Sequence, residues 1–145
     1  MRRTEYITEQ TPFESLTASI LMESDVITCT PDDTCRHAAS QMTKHGIGSL
    51  PVVDKEGWLV GIISEFDLLQ QLRKGGDPKQ FRVEEAMSRE VRFVSESTKA
   101  DEIIKLLQTE HLIRVPVLKE GKLVGIVARR DLLLGYIKAT AKYWP

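Results

Sequence analysis

The chain of 145 residues lacks the features that mark several classes of protein. No apolar run approaches the roughly 20 residues that span a bilayer, and the first residues lack the apolar stretch of a signal peptide. Twenty lysines and arginines against 21 acidic residues leave a net charge of −1, so we expect no binding of nucleic acid or anionic membrane. The few cysteines (Cys29, Cys35) and histidines match no zinc spacing. We therefore predict a cytoplasmic protein with free thiols and no metal.

The composition is that of an ordinary globular protein. Hydrophobic residues make up 41% and charged residues 28%, with 9 glycines and 6 prolines, which excludes collagen, a coiled coil and extended disorder. The length fits one domain or two very small ones. Because the net charge is close to zero, any charged ligand must be held by a local site.

An internal duplication is the most informative feature. Pro51 recurs as Pro116, an offset of 65 residues, and Met22 recurs as Met87 at the same offset. Two further matches follow a turn that is one residue shorter in the second copy: Leu59-Val60-Gly61-Ile62 with Leu123-Val124-Gly125-Ile126, and Asp67-Leu68-Leu69 with Asp131-Leu132-Leu133. A hairpin loop tolerates such a length change.

Each copy is predicted to have the order strand, helix, strand, strand, helix. In the first copy the predicted elements are a strand at 26–30, a helix that stops at Gly46, a hairpin at 50–63 and a helix from Ser64 to about Arg73. In the second copy they are a strand at 91–95, a helix at 98–110, a hairpin at 114–127 and a helix from Arg129 to about Lys142. We predict an N-terminal tail (1–12) and repeats at 13–75 and 76–145, in which 13–22 and 81–87 each lead into the repeat that follows.

The duplicated segments resemble a tandem pair of cystathionine β-synthase (CBS) domains, often called a Bateman module. The resemblance rests on 47–54 and 61–69 in the first copy and on 112–117 and 125–132 in the second. It implies an α/β (α+β) fold in which two pseudo-twofold-related β-α-β-β-α repeats pack sheet to sheet. It also implies two clefts that bind AMP, ADP, ATP or another adenosyl ligand, in modules that usually regulate.

Ser64 and Asp67 also predict a ligand site on physical grounds. They stand at the start of a predicted helix, where unpaired N–H groups favour a phosphate. The Ser64 hydroxyl can add a bond to that phosphate, and the Asp67 carboxylate can accept from both ribose hydroxyls. The same spacing is also typical of a capping serine followed by a first-turn acid, which stabilises a helix by ~1 kcal/mol without a ligand. The spacing leaves both interpretations open.

The second copy departs from this pattern. Ala128 replaces the serine, so the cap and the hydroxyl contact are lost, while Asp131 is retained. The second site is expected to bind more weakly, to prefer another ligand, or to depend on Arg129 and Arg130 for phosphate charge. The alternative is that both arginines are simply solvated.

Similarity to the family places an adenine slot between the first strand of each copy and the residues that precede the hairpin proline. In the first copy the slot residues are Ile27, Thr28, Ile47, Gly48, Ser49, Leu50 and Pro51. In the second copy they are Arg92, Phe93, Leu112, Ile113, Arg114, Val115 and Pro116. The apolar members are more often core than ligand contacts, so their backbones and edges matter most. Arg114, in the place of Ser49, is a candidate phosphate partner.

Three functional hypotheses follow. The first is a stand-alone regulatory module in which an adenine nucleotide, as a regulatory ligand and not an obligatory cofactor, shifts a conformational or dimer equilibrium that an effector protein senses. Such a module would report cellular energy state. The second is a structural homodimerisation module with vestigial clefts. An enzyme is not expected, because no Ser/His/Asp or Cys/His arrangement occurs at catalytic spacing.

Overall fold

The computed structural model describes residues 3–7 and 11–141. The chain divides into two compact units. The continuous unit comprises 27–91, and the split unit comprises the described residues before 27 and those from 92 onward. Both units contain helices and a small sheet, which confirms the predicted mixed α+β class.

The continuous unit is built on one hairpin. Its elements are α2 (Cys35–His45), β1 (Ser49–Val53), β2 (Leu59–Ser64), α3 (Glu65–Arg73) and α4 (Val83–Ala86). Strands β1 and β2 are antiparallel. Cys29 adds a single parallel bridge to Val52, and Ser88 adds an antiparallel bridge to Ile62. The predicted strand at 26–30 is therefore reduced to one bridge.

Helix α2 shows how sequence sets the bounds of an element. The Thr34 hydroxyl accepts from the His37 amide and caps the start of the helix. Gly46, with φ of 64°, ends the helix in the left-handed conformation, as predicted. The buried face of the helix joins a core with Leu50, Val52 and Ile63 from the hairpin.

The split unit repeats this plan. Its elements are two short 3-10 helices (Arg3–Tyr6, Phe13–Ser15), α1 (Ala18–Leu21), β3 (Val94–Ser95), α5 (Ala100–Thr109), β4 (Arg114–Lys119), β5 (Lys122–Ala128) and α6 (Arg129–Ala139). Strand β3 is parallel to β4, and β4 is antiparallel to β5. Glu23 adds an antiparallel bridge to Ile126 at the free side of β5. The predicted strand at 91–95 shortens to its last two residues.

The segment before each repeat packs with the hairpin of the other repeat. In the split unit, Met22 follows α1 and its side chain covers Gly125, where an added Cβ would overlap it. In the continuous unit, the Met87 sulfur lies 2.6 Å from where a Cβ on Gly61 would stand. The compact units therefore differ from the predicted repeats. The repeats 13–75 and 76–145 describe the sequence duplication, and their bounds stay a prediction.

Part of the predicted N-terminal tail is packed. The helix Arg3–Tyr6 lies against α1 and α6, Thr4 is buried, and Ile7 contacts the core of the split unit. The rest of the tail at 1–2 and 8–10 lies outside the described residues, as does the end of the second repeat from Lys142.

Candidate functional site

The hairpin of the continuous unit brings together the residues predicted at the first site. Ser49, at the start of β1, is paired with Ser64, at the end of β2. Helix α3 begins at the next residue, and the Glu65 amide donates to the Gly48 carbonyl over 2.9 Å. We call Gly48, Ser49, Ser64, Glu65 and Asp67 the first candidate site.

Ser64 and Asp67 form a capping box, so the structural interpretation of their spacing is confirmed. The Ser64 amide and hydroxyl donate to Asp67 Oδ2 over 2.8 and 3.0 Å, and the Asp67 amide donates to the Ser64 hydroxyl over 3.2 Å. All three bonds leave Asp67 Oδ1 unused by the residues that the structure describes. Because Asp67 is only half-buried, that oxygen can still accept from a ligand.

The start of α3 offers fewer free amides than the sequence predicted. The amides of Ser64, Glu65 and Asp67 all donate to protein acceptors. Within the described residues, only the Phe66 amide of this first turn has no acceptor. A phosphate at this helix start would therefore find one amide and not a full set.

Glu65 joins the first candidate site although it was not among the predicted site residues. A Cβ placed on Gly48 would lie 2.7 Å from Glu65 Oε1, so this carboxylate lies across the Gly48 backbone. It makes no ion pair with a described residue. The signal was present in the sequence, because Glu65 matches Arg129, which was considered for its charge.

The remaining slot residues of the first copy serve mainly as core. Leu50 and Pro51 are fully buried, and Ile27 and Ile47 pack against the same core. The Pro51 carbonyl is taken by the Cys29 amide, at 3.1 Å. Thr28 is half-buried. Their binding role stays a prediction.

The split unit has the same geometry with different chemistry. Arg114 is paired with Ala128, and the Arg129 amide donates to the Ile113 carbonyl over 3.0 Å. Asp131 Oδ2 accepts from the Ala128 amide at 2.7 Å, which is half of a capping box, because alanine has no side-chain acceptor. We call Ile113, Arg114, Arg129, Arg130 and Asp131 the second candidate site.

Arg114 is the cation most enclosed in this site. Burial, together with the charge of Arg130, lowers the pKa of its guanidinium, and Asp131 opposes that effect. The Arg114 side chain makes no hydrogen bond or ion pair with any described residue. Arg129 and Arg130 are exposed, and whether they contact a phosphate or are simply solvated stays open. Asp131 is buried, with only 2% of its surface exposed.

The other slot residues of the second copy divide into an exposed and a buried group. Phe93 and Ile113 are 57% and 55% exposed. Leu112 packs against the core, and Val115 and Pro116 are buried. Arg92 forms an ion pair of 3.3 Å with Glu110, just after α5, so its charge is partly neutralised.

Three further sequence expectations concern the thiols, the membrane and metal binding. Cys29 and Cys35 are free and buried, and burial is the main cause that raises the pKa of each. Among the described helices, none combines the length and the apolar character needed to cross a bilayer. The described residues contain no group of three or more side chains arranged to hold a metal ion.

Comparison with known proteins identifies the family of this chain. The model of the CBS domain matches residues 18–74 and 83–137. The uncharacterized protein MK0525 of Methanopyrus kandleri is 34% identical over 121 residues, which cover 82% of this chain and 62% of the relative. The chain thus spans less than two thirds of that relative's length.

Two solved structures with bound ligands are similar to this chain. CBSX2 in complex with AMP matches with a TM-score of 0.73 and 26% identity, over 83% of this chain and 96% of its own. The CBS domain pair of MJ0100, in complex with 5′-methylthioadenosine and S-adenosyl-L-methionine, matches with a TM-score of 0.71 and 28% identity, over 81% and 93%. Because the CBS-domain model matches both copies of the duplicated unit, this chain belongs to the CBS-domain family as a tandem pair.

Proposed function

We propose that this chain is a regulatory module that binds an adenine nucleotide (AMP, ADP or ATP) or a related adenosyl ligand. The observation that carries the proposal is the divided use of the Asp67 carboxylate. One oxygen caps α3, and the other is left to accept from a ligand. The ligands in the two solved CBS-pair structures support the adenosyl class.

A ribose is the group that best suits such an oxygen. Its vicinal hydroxyls donate hydrogen bonds, and a charged acceptor makes these bonds stronger than a neutral one does. The capping bonds fix the carboxylate before the ligand arrives, so little side-chain entropy is lost on binding. Capping and ribose binding are thus compatible roles of one residue.

Regulation requires that the ligand bind two states of the module with different affinities. We propose that the change in state is conformational or alters dimerisation, and that an effector protein senses it as a measure of energy state. The ligand is bound and released unchanged. We further propose that the protein is cytoplasmic, needs no obligatory cofactor, and has neither nucleic acid nor a membrane as a partner.

The first test is calorimetric titration of ligand-stripped protein with AMP, ATP, adenosine and 5′-methylthioadenosine. We expect saturable binding of at least one of them. Asp67→Asn keeps an acceptor for the Ser64 amide but replaces the free oxygen with a donor, so it should weaken adenosine about tenfold or more while the melting temperature changes little. With 2′-deoxyadenosine, wild type and variant should differ much less.

Asp54→Asn is the matched control for this variant. Asp54 Oδ1 accepts from the Glu56 and Trp58 amides in the turn at the opposite end of the same hairpin. Its replacement should leave every titration unchanged. Absence of saturable binding by all four compounds would reject the proposed function.

A homodimer is the second part of the proposal, and exposed apolar side chains on two helices favour it. On α3 they are Phe66, Leu69 and Leu72, and on α6 they are Leu133, Tyr136 and Ile137. Spacings of three and four residues place each set along one helix face. Such faces are typical of protein contacts.

Sedimentation velocity tests this part. The wild type should sediment as a dimer, and Leu69→Glu should shift it toward monomer because a carboxylate would be buried in the contact. Gln70→Glu on the same helix is the control for added charge. A dimer with no adenosyl binding would favour the alternative of a structural dimerisation module.

A further inference from the structure

The two candidate sites carry opposite charge although they descend from one duplicated pattern. The first site holds two carboxylates, Glu65 and Asp67, and no basic residue. The second holds three arginines and one aspartate, for a formal charge of +2. Three replacements account for this difference: Arg114 stands in the place of Ser49, Arg129 in the place of Glu65 and Arg130 in the place of Phe66. The aspartate at the third position of each helix is retained.

We infer that the two sites select adenosyl ligands by charge: Arg114 makes the second site selective for phosphate-bearing ligands, and Glu65 makes the first site selective for ligands without phosphate. This inference rests on the proposed function. It assigns a nucleoside mono-, di- or triphosphate to the split unit and an uncharged or cationic adenosyl compound to the continuous unit.

The surroundings of Arg114 support a role toward anions. Its side chain is partly enclosed, Arg130 is a like-charged neighbour, and the opposing charge of Asp131 does not cancel the combined effect of burial and Arg130. The guanidinium makes no hydrogen bond or ion pair with a described residue. A guanidinium kept in this way is electrostatically unfavourable in the free protein, and an arriving phosphate would relieve the repulsion. Its planar donor groups suit phosphate oxygens in pairs.

The surroundings of Gly48 act in the opposite direction. The Glu65 carboxylate lies across the Gly48 backbone, next to Ser49 and to the capping box. Three of the amides at the start of α3 already donate within the protein. A phosphate would thus meet a negative charge and little compensation, whereas a sulfonium or an uncharged thioether would not be repelled.

The test exchanges the residues that differ. Calorimetric titrations with ATP and with 5′-methylthioadenosine, which share adenosine but differ in charge, are made on wild type, Arg114→Ser and Ser49→Arg. Arg114→Ser should weaken ATP about ten- to a hundredfold and leave 5′-methylthioadenosine within about twofold. Arg114→Lys should recover part of the ATP affinity, and Ser49→Arg should improve ATP binding.

Arg89→Ser, at an exposed arginine outside both sites, controls for the loss of one positive charge. If Arg114→Ser does not fold, Arg114→Gln, which keeps a long polar side chain without the charge, carries the same expectation. A ratio of ATP to 5′-methylthioadenosine affinity that stays unchanged in a folded variant overturns this inference alone. A wild-type protein that binds neither ATP nor 5′-methylthioadenosine also overturns this inference, and it overturns the proposed function only if AMP and adenosine fail to bind as well.

Discussion

The Asp67 carboxylate shows how one side chain can satisfy two interpretations of a motif. From spacing alone, a cap and a ligand contact compete for Ser64 and Asp67. The structure assigns the cap to Oδ2 and leaves Oδ1 unused within the described chain. A sequence cannot make this distinction, because it names the residue and not the oxygen.

Cys29 gives a prediction about pH. Burial, followed by the charges of Asp33 and Cys35, raises the pKa of its thiol from 9.0 to about 12. Because the folded pKa is higher than the unfolded one, the buried protonated thiol contributes its full stability below the unfolded pKa. This contribution is lost as pH rises toward the folded pKa, because the thiol of the unfolded chain ionises first. The free energy of unfolding should therefore fall between pH 9 and 12, by up to about 1.4 kcal/mol per pH unit.

Urea unfolding of wild type and Cys29→Ala across this range isolates the contribution, since lysines and tyrosines titrate in both proteins. The difference between the two proteins should shrink as pH rises. An equal pH dependence in wild type and variant would contradict the prediction.

The starts of α3 and α6 form a natural pair for testing helix capping. The first has a complete capping box, and the second has only the bond from the Ala128 amide to Asp131. Ser64→Ala should cost about 0.5–2 kcal/mol, while Ala128→Ser should stabilise by roughly 0.5–1 kcal/mol by adding an acceptor for the Asp131 amide. Chemical denaturation measures both changes.

Ser97→Ala, at an exposed serine outside any helix, is the control for loss of a hydroxyl. If Ala128→Ser leaves the free energy of unfolding unchanged or lowers it, the missing half of the capping box does not limit the stability of α6.

The contact between Met22 and Gly125 gives a prediction on how α1 is anchored to β5. An added Cβ on Gly125 would overlap the Met22 side chain, and no backbone atom is among its nearest neighbours. Gly125→Ala should cost roughly 1–3 kcal/mol, and Met22→Ala about 2–5 kcal/mol. The double variant should lose less stability than the sum of the two single losses. Met22→Ala removes the side chain that the added methyl would overlap, and that methyl partly fills the gap that the methionine leaves.

Thermal unfolding of the four proteins in this cycle supplies the measurement. Gly57→Ala, at a turn glycine with open space around it but positive φ, separates backbone strain from overlap. Additive costs in the double variant would show that Met22 and Gly125 are not coupled.

The division of the molecule predicts which fragments fold. Fragment 27–91 keeps Val83 in its core, Met87 against Gly61 and Ser88 beside Ile62. Fragment 13–75 follows the predicted repeat but lacks all three. Domains of this size are marginally stable, so these losses should decide the outcome.

Circular dichroism on heating should show a cooperative transition for fragment 27–91 and none for fragment 13–75. A cooperative transition in fragment 13–75 would mean that the repeat, and not the packing unit, is what folds.

Periodicity predicted the helices and hairpins within a few residues, because an element that is buried on one face has apolar residues at a regular spacing in its sequence. It overestimated the strand at 26–30, since β-branched residues favour extended backbone whether or not a partner strand is present. The sequence could not predict that segments 13–22 and 81–87 each pack with the hairpin of the other repeat. Met22 and Met87 are equivalent in the duplication, as are Gly61 and Gly125, so either pairing satisfies the same local signals.

The first site was predictable in its residues but not in its charge balance. Ser64 and Asp67 follow from a known capping pattern and the resemblance to the family. Glu65 carries no motif, and its importance depends on where the side chain lies relative to Gly48. That position is a product of the hairpin register, which sequence spacing does not resolve.

The crossed contacts of Met22 and Met87 also bear on how chimeras of CBS-domain pairs should be made. A crossover at the linker near residue 75 would place each methionine against a glycine from a different parent. Crossovers after Val26 and after Val91 would instead transfer a unit with its own methionine, sheet edge and core. Recombination libraries designed on repeat boundaries would thus break two contacts in every hybrid, and those designed on packing boundaries would break neither.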